Sequence, residues 1–414
     1  MRARRAGRGM TALTFLRYSG GMLCVLTLST LFPDATRPNF GVFVERQTLG
    51  LAARADIDLR LVAPVGLPPW PLRRMTHHAA LAGLALREDW KGLDTWRPRF
   101  VTLPGTGGRF HVPALVHSLV PLLTRIRRDF PFDVIDAEFF FPDGPAAIAL
   151  GRHFGVPVSI KARGADIHHW GHAPATARQV IAAARAADGL LAVSGAMKAD
   201  MAAIGIPAGR IRVHHTGVDL DRFAPRERRA AKAAQGVTGP LVVSLGALIP
   251  RKGHDVVIDA VAALPGVTLL VAGQGPEHAA LAARIARLGV GDRVRLLGGV
   301  PHGDLPALLA AADVMALASA SEGLANAWVE ALACGAPIVI TAAGGAAEVV
   351  TDPAHGRIAE RTPQAFARAI GELLADPPAA AAVRGGAERF TWEANGVALS
   401  AHLAGLADHF RRGL

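Results

Sequence analysis

Two acids eight residues apart, Glu322 and Glu330, interrupt SEGLANAWVEALACGAP (321–337), one of the most apolar stretches of the chain. A carboxylate accepts two hydrogen bonds side by side and so suits a vicinal diol, as on a ribose or a hexose. A second grouping is SLGALIPRKGHD (244–255), where Arg251, Lys252 and Gly253 follow an apolar run and a short loop and open what reads as a helix. Two cations at a helix N-terminus are electrostatically poor unless an anion sits among them, because the helix dipole already places positive charge there. A diphosphate would be that anion. Arg251 could fork onto phosphate oxygens while Lys252 supplies a mobile point charge, together neutralising a leaving nucleoside diphosphate without a metal. The plainer readings are a solvated basic turn, a surface helix residue for Glu330 and an exposed loop acid for Glu322.

The elements around the two acids decide where each one stands. A strand ends near Ala318, Gly323 permits a tight turn, a helix runs from Asn326 to its C′ residue Gly335, and Pro337 opens the next strand. Glu322 therefore lies in a loop and Glu330 on a helix. The loop also offers backbone N–H groups at Gly323, Leu324, Ala325 and Asn326, backed by the positive end of the helix dipole. Two carboxylates at different heights beside one helix end could each hold one diol of a nucleotide sugar.

From residue 240 onward, strand-sized apolar runs recur at 241–246, 267–273, 293–298, 313–318 and 337–341, with helical stretches between them. The first half has the same grammar with longer insertions, at 22–30, 57–64, 133–137, 156–162, 189–194 and 211–215. Continuous rather than alternating apolar runs predict parallel sheets covered on both faces. The expected fold is α/β, with two Rossmann-like doubly wound domains at 21–220 and 241–391 and a polar linker at 221–240. A terminal helix at about 392–414 could pack back on the first domain. Residues 1–20 read as a basic tail, with Met10 and Met22 as alternative starts, and the run after it is strand-length rather than a secretion signal. Between two such sheets, ligands bind in the cleft at the carboxyl ends of the strands.

With 414 residues, 51% hydrophobic and 19% charged, the chain is long enough for two cores and too apolar for disorder. Its formal charge of +11 favours anionic partners. Nucleic acid is excluded for want of a zinc spacing, basic zipper or aromatic RNA-binding signature. Apolar residues at Leu115, Leu119, Leu122 and Ile126 mark a helix over 114–130 that ends in Arg125, Arg127 and Arg128. A core-facing helix with a solvated end is the simpler account, and contact with an anionic membrane surface is the other. Cys24 and Cys334 are too few and too far apart for a disulfide framework, which fits a reducing cytoplasm. His168, His169 and His172 include an i, i+4 pair, but Gly171 interrupts the helix and no third ligand pattern adjoins, so no metal is expected.

Taken together, the RKG turn, VAGQGPE (271–277), AADVMALAS (311–319), the Glu-x7-Glu segment and GGAAEVV (344–350) resemble the family-4 retaining glycosyltransferases of the GT-B fold. The likeness extends from about residue 24 over nearly the whole chain. Its first half is similar to enzymes that build bacterial surface polysaccharides, teichuronic-acid-type transferases among them. The resemblance implies that Glu330 binds the donor ribose, and that Glu322 with the N–H groups of Gly323 to Asn326 binds the transferred sugar. It also implies that Arg251 and Lys252 hold the diphosphate, that Gly41 lets backbone approach it from the other domain, and that the base lies near Val300.

The sequence also departs from the family pattern. Members commonly carry an arginine directly after the glycine of the phosphate strand, where this chain has Ala247, so that charge falls to Arg251. Histidines common elsewhere are replaced by Asp136, Glu138 and Arg163. Arg163 and Asp166 are candidates for donor or acceptor contact across the cleft, and Glu138 for an acceptor-hydroxyl base. The implied partners are a nucleotide-sugar donor and a glycan or lipid-linked acceptor, with contact at the inner face of the cytoplasmic membrane and no required cofactor. A nucleotide-sugar epimerase of the same fold and a non-catalytic nucleotide-sugar scaffold are the alternatives.

Overall fold

The computed structural model describes residues 21–74 and 76–413, so the basic segment 1–20 lies outside the described residues. The first half supplies β1 (Leu23–Leu28), β2 (Ile57–Val62), β3 (Val65–Leu67), β4 (Arg87–Trp90), β5 (Leu93–Trp96), β6 (Arg99–Val101), β7 (Val134–Ala137), β8 (Val158–Ala162), β9 (Gly189–Ala192) and β10 (Ile211–Val213). The second supplies β11 (Leu241–Leu245), β12 (Thr268–Ala272), β13 (Val294–Gly298), β14 (Val314–Leu317), β15 (Ile338–Ile340) and β16 (Gly356–Ile358). One sheet has the order β10-β9-β8-β7-β1-β2-β5-β4 and the other β13-β12-β11-β14-β15-β16, while β3 and β6 pair separately. Among the strands of the described residues, only β4, against β5, breaks the parallel arrangement. This is the two-sheet α/β architecture expected of a GT-B protein.

The apolar runs form strands because both of their faces are covered. β1 is buried along its whole length and sends alternate residues to opposite sides. Leu26 and Leu28 join the cluster with Leu115, Leu119 and Leu123. Leu23 and Val25 join the one with Val44, Leu51, Leu399 and Leu403. The second sheet repeats the pattern, with Val243, Leu270, Met315 and Ile338 on one face and Val242, Leu269, Val314 and Val339 on the other.

The chain crosses between the halves twice, and the crossings are tied together. Val218 N donates to Phe390 O at 2.7 Å, and Asn395 Nδ2 donates to His215 O at 2.7 Å. The helix Trp392–Arg412, capped by Thr391, which accepts from Ala394 N, then packs on the helix Val42–Ala52 of the first half. There it buries Leu399 and Leu403, each worth roughly 1.5–3 kcal/mol. Within the polar segment 221–240, Arg228–Ala234 form a helix against Leu305–Ala311, with Lys232 Nζ 2.5 Å from Asp313.

The helix His111–Asp129 buries Leu115, Leu119, Leu123 and Ile126. Arg125 lies over Trp96 and Arg127 over Phe132, so two of its three terminal cations are held by aromatic faces. Among the described residues no helix is long and apolar enough to cross a membrane.

Candidate active site

A cavity of about 410 Å³ lies between the sheets. Its walls include Leu31 after β1, Phe139 after β7, Arg163 after β8, Val193 after β9, Gly246 after β11 and Glu322 after β14. The carboxyl ends of both sets of strands thus meet at one cleft, where parallel sheets bind ligands. A second cavity of about 320 Å³ adjoins it, sharing Arg163, Arg251 and Glu322 and adding His168 and His169.

At one end, β11 runs through Gly246 into a 3₁₀ turn, Pro250–Lys252, and then into the helix His254–Ala262. Gly253 caps that helix with φ 66°, and a Cβ there would lie 2.1 Å from Ala318 O, so only glycine lets the turn touch the end of β14. Ala320 N donates to Arg251 O at 2.7 Å, fastening the turn to the loop that carries Glu322. Lys252 Nζ then lies 2.5 Å from Glu322 Oε1, Ser319 Oγ donates to the same oxygen at 2.7 Å, and Arg251 lies 3.5 Å from Oε2. The two cations and the acid form one cluster, and Glu322 is 8% exposed. A carboxylate so covered needs these partners. Beneath the turn His254 meets Ser244 Oγ at 2.9 Å, and burial pushes its pKa down to about 4, leaving a neutral ring.

The other end holds Glu330, on the helix Asn326–Ala333. His302 Nε2 lies 3.0 Å from Glu330 Oε1, and Arg46 of the first half lies 3.3 Å from His302 Nδ1. Arginine only donates, so Nδ1 must accept; Nε2 therefore carries the proton and donates to Glu330. Arg46 Nε is buried with no hydrogen-bond partner, and burial together with Arg222 holds the guanidinium below its ordinary pKa. Between the two ends, Gly323, Leu324, Ala325 and Asn326 line the cavity, and the helix that Asn326 opens has no side-chain hydrogen bond from its cap residue, Ala325.

Several expected residues are placed differently. Gly41 does not line the cavity. It caps the helix Val42–Ala52 with φ 71°, its Cβ position 2.5 Å from Leu31 O, and presents Val42, Phe43 and Arg46 instead. Val300 packs on the core outside the cavity, and the residue of that loop that reaches the ligand side is His302. Asp166 is fully buried and accepts from the N–H groups of Phe140, Arg163, Gly164 and Ile167, so it shapes its own loop and ties it to the one after β7 rather than meeting a ligand. Glu138 is also fully buried, with one oxygen taken by Arg163 and the other by Gln47. It has no free oxygen for an acceptor hydroxyl. Arg163 turns its guanidinium into this pair and over Phe43, giving the cleft only its backbone side; burial brings its pKa down to about 10.

This interior network extends to Lys161, which touches Gln47 and His214, and to Asp136. Burial moves the Asp136 carboxyl above its ordinary pKa and the Lys161 ammonium below its own, each partly offset by the charge of the other. Sequence reasoning missed Arg46, His302 and Gln47. The one signal for Arg46 was a cation one turn into a helix that starts at a glycine after the first strand. Among the described residues no group of three or more His, Cys, Asp or Glu side chains is arranged to hold a metal, and His168 pairs with Asp200 at 2.8 Å.

Comparison with known proteins bears on the family and the fold. The family described as Glycosyl transferases group 1 matches residues 225–390, and Glycosyltransferase Family 4 matches 44–222. The chain is 30% identical over 341 residues to a GDP-mannose-dependent alpha-(1-6)-phosphatidylinositol monomannoside mannosyltransferase of Mycolicibacterium smegmatis, covering 76% of this chain and 88% of that protein. It is 44% identical over 162 residues to a D-inositol 3-phosphate glycosyltransferase of Mycobacterium tuberculosis, covering 37% of this chain and 34% of that one. Among solved structures, a sucrose-phosphate synthase of Thermosynechococcus elongatus matches with TM-score 0.76 and 20% identity, over 93% of this chain and 99% of that one. Anabaena HepE in complex with UDP matches with TM-score 0.72 and 22% identity, over 93% and 100%.

Proposed function

The chain belongs to glycosyltransferase family 4, a transferase with the GT-B fold and a nucleotide-sugar donor, and from that premise we propose that it moves a hexose from a UDP- or GDP-sugar to an acceptor hydroxyl with retention of configuration. The observation that carries this reading is that one cavity has Arg251, Lys252 and Glu322 at one end and Glu330 with His302 at the other. In it, Glu330 holds the ribose diol, and Arg251, Lys252 and the helix start at Gly253 hold the diphosphate. Glu322 and the loop 323–326 hold the sugar. The bond from the anomeric carbon to the diphosphate breaks, the acceptor oxygen bonds to the same face, and its proton passes to the departing phosphate oxygen. The protein's main contribution is charge stabilisation of that phosphate, with closure of the cleft excluding water. No divalent cation takes part, so a chelator leaves turnover unchanged.

The acceptor in this reading is a lipid-linked or polysaccharide intermediate of the cell envelope, met at the inner face of the cytoplasmic membrane. The relative that acts on a phosphatidylinositol mannoside supports a lipid-anchored acceptor. Exposed Trp70, Leu72 and Phe110, next in sequence to exposed Arg73, Arg74 and Arg109, support contact with an anionic surface. The test is a panel of UDP- and GDP-sugars scored for nucleoside-diphosphate release, with and without cell-envelope lipid extract. Release that rises with extract is expected; folded protein that consumes no donor, or that turns one sugar into another without an acceptor product, overturns the reading.

A further inference from the structure

The GGAAEVV segment has no part in the chemistry just described, yet it makes contacts that join the two domains. Glu348, on the short helix Ala346–Val349, reaches into the first domain. Its Oε1 accepts from Gly195 N at 2.8 Å, at the start of the helix Gly195–Ala203, and its Oε2 meets His215 Nε2 at 2.7 Å. Burial alone would raise the pKa of this carboxyl, but His215 and the N–H groups of Gly195 and Ala196 hold it below the usual value.

Ser194 precedes that helix as its cap, accepting from Met197 N at 3.0 Å while its hydroxyl donates to Gly323 O at 3.0 Å. Gly345 N donates to the same carbonyl at 2.8 Å. The carbonyl of Gly323 is therefore held by one donor from each domain. In a trans peptide the N–H of the next residue points opposite to the carbonyl, so these two bonds fix the direction of Leu324 N–H in the loop that lines the cleft. The glycines of the motif are needed for closeness: a Cβ on Gly344 would lie 2.2 Å from Glu322 O, and one on Gly345 would lie 3.0 Å from Ser194 Cβ.

We infer that Glu348 is a positioning residue for transfer, clasping the Gly195 helix and His215 against the back of the 322–324 loop so that the loop reaches its working shape only when the two domains meet. The inference rests on the transferase reading above, because it assigns the loop a sugar to hold. It separates two processes. Binding of the nucleotide at Glu330 and Lys252 does not need the clasp, whereas transfer to an acceptor does.

The test compares Glu348→Ala, Glu348→Gln, Ser194→Ala and His215→Ala with wild type, using the donor that releases most nucleoside diphosphate in the panel. Glu348→Ala should keep its dissociation constant for UDP or GDP within about threefold, lose ten- to a hundredfold in kcat for transfer, and show a larger share of donor hydrolysed by water. Glu348→Gln should recover part of kcat, since an amide oxygen can still accept from Gly195 N. Ser194→Ala should shift the hydrolysis share in the same direction, and combining it with Glu348→Ala should cost less than the product of the two losses. If Glu348→Ala fails to fold, Ser194→Ala and His215→Ala carry the same expectation. Unchanged kcat and unchanged hydrolysis share in folded variants would overturn the clasp while leaving the transferase intact. Equal losses in nucleotide binding, hydrolysis and transfer would reduce it to a structural contact. A wild type that consumes no donor fails the transferase reading itself.

Discussion

Lys252 Nζ lies 2.5 Å from Glu322 Oε1, so the cation assigned to the diphosphate and the acid assigned to the sugar share one hydrogen bond. An incoming diphosphate must compete with Glu322 for Lys252 and for Arg251, which lies 3.5 Å from the other carboxylate oxygen. The two roles are therefore coupled.

Glu322→Gln removes the competing charge and should tighten UDP or GDP binding by about tenfold, ~1.4 kcal/mol, while turnover of the nucleotide sugar falls by about a hundredfold. Isothermal titration with the nucleoside diphosphate and steady-state turnover give the two numbers. Weaker nucleotide binding in a folded Glu322→Gln variant would mean that Glu322 orders Lys252 for the phosphate instead of competing for it.

The two ends of the cavity should be separable with fragments of the donor. Glu330→Ala loses a charge-assisted partner for a diol, which is worth roughly 1.5–3 kcal/mol, so uridine or guanosine should inhibit the variant at least tenfold more weakly while pyrophosphate inhibits as before. Lys252→Ala should show the reverse. His302→Ala should follow Glu330→Ala with a smaller loss, since it removes the proton that points at Glu330 rather than the acceptor itself. Both fragments failing together in either single variant would mean that the cleft has collapsed, which thermal unfolding would reveal.

The fold was legible because strands buried on two faces leave unbroken apolar runs, and the core of the site because turns with Gly253 and Gly323 admit few other residues. Harder to read was the direction of a polar side chain. Glu138, Arg163 and Asp166 stand at strand ends like true cleft residues, but the first two bond to each other and the third to its own loop. Nothing local in the sequence distinguishes an acid facing a ligand from one facing N–H groups a few residues away. Arg46 and His302 were missed for the converse reason, since they matter through each other across 256 positions. The β4–β5 hairpin has short, charge-bearing strands and the β3–β6 pair strands of three residues, too short for an apolar run to mark, and their pairing is a tertiary decision.

Membrane contact should reside in the first domain. Because Arg125 and Arg127 stack on aromatic rings, the exposed set Trp70, Leu72, Arg73, Arg74, Arg109 and Phe110 is the better candidate than the end of the helix His111–Asp129. Sedimentation with phosphatidylglycerol vesicles should fall as salt rises, because the charge component is screened over ~10 Å at 0.1 M. Replacing Trp70 and Phe110 by alanine should weaken binding at every salt concentration. Failure of wild type to sediment at low salt would remove the membrane from the proposal.

Asp143 offers a test of the interior that does not depend on any ligand. It starts the helix Asp143–Phe154, is fully buried, and accepts from Thr30 N at 2.8 Å through Oδ2, while Oδ1 has no hydrogen-bond partner. Burial raises its pKa to about 7 from the ordinary 3.8, Asp166 adds to the rise, and the Thr30 contacts only partly oppose it. The folded pKa thus exceeds the unfolded one. Between about pH 4 and 7 the folded chain holds a proton that the unfolded chain releases, and stability from this group must fall as pH rises through that window, with a limiting slope of ~1.4 kcal/mol per pH unit. Asp143→Asn keeps an oxygen for Thr30 N, places an amide where Oδ1 lacked a partner, and cannot ionise. Its melting temperature minus that of wild type should therefore increase from pH 4 to 7 and level off above. Parallel melting curves across that range would mean that Asp143 titrates near its ordinary value, and that its buried oxygen is satisfied some other way.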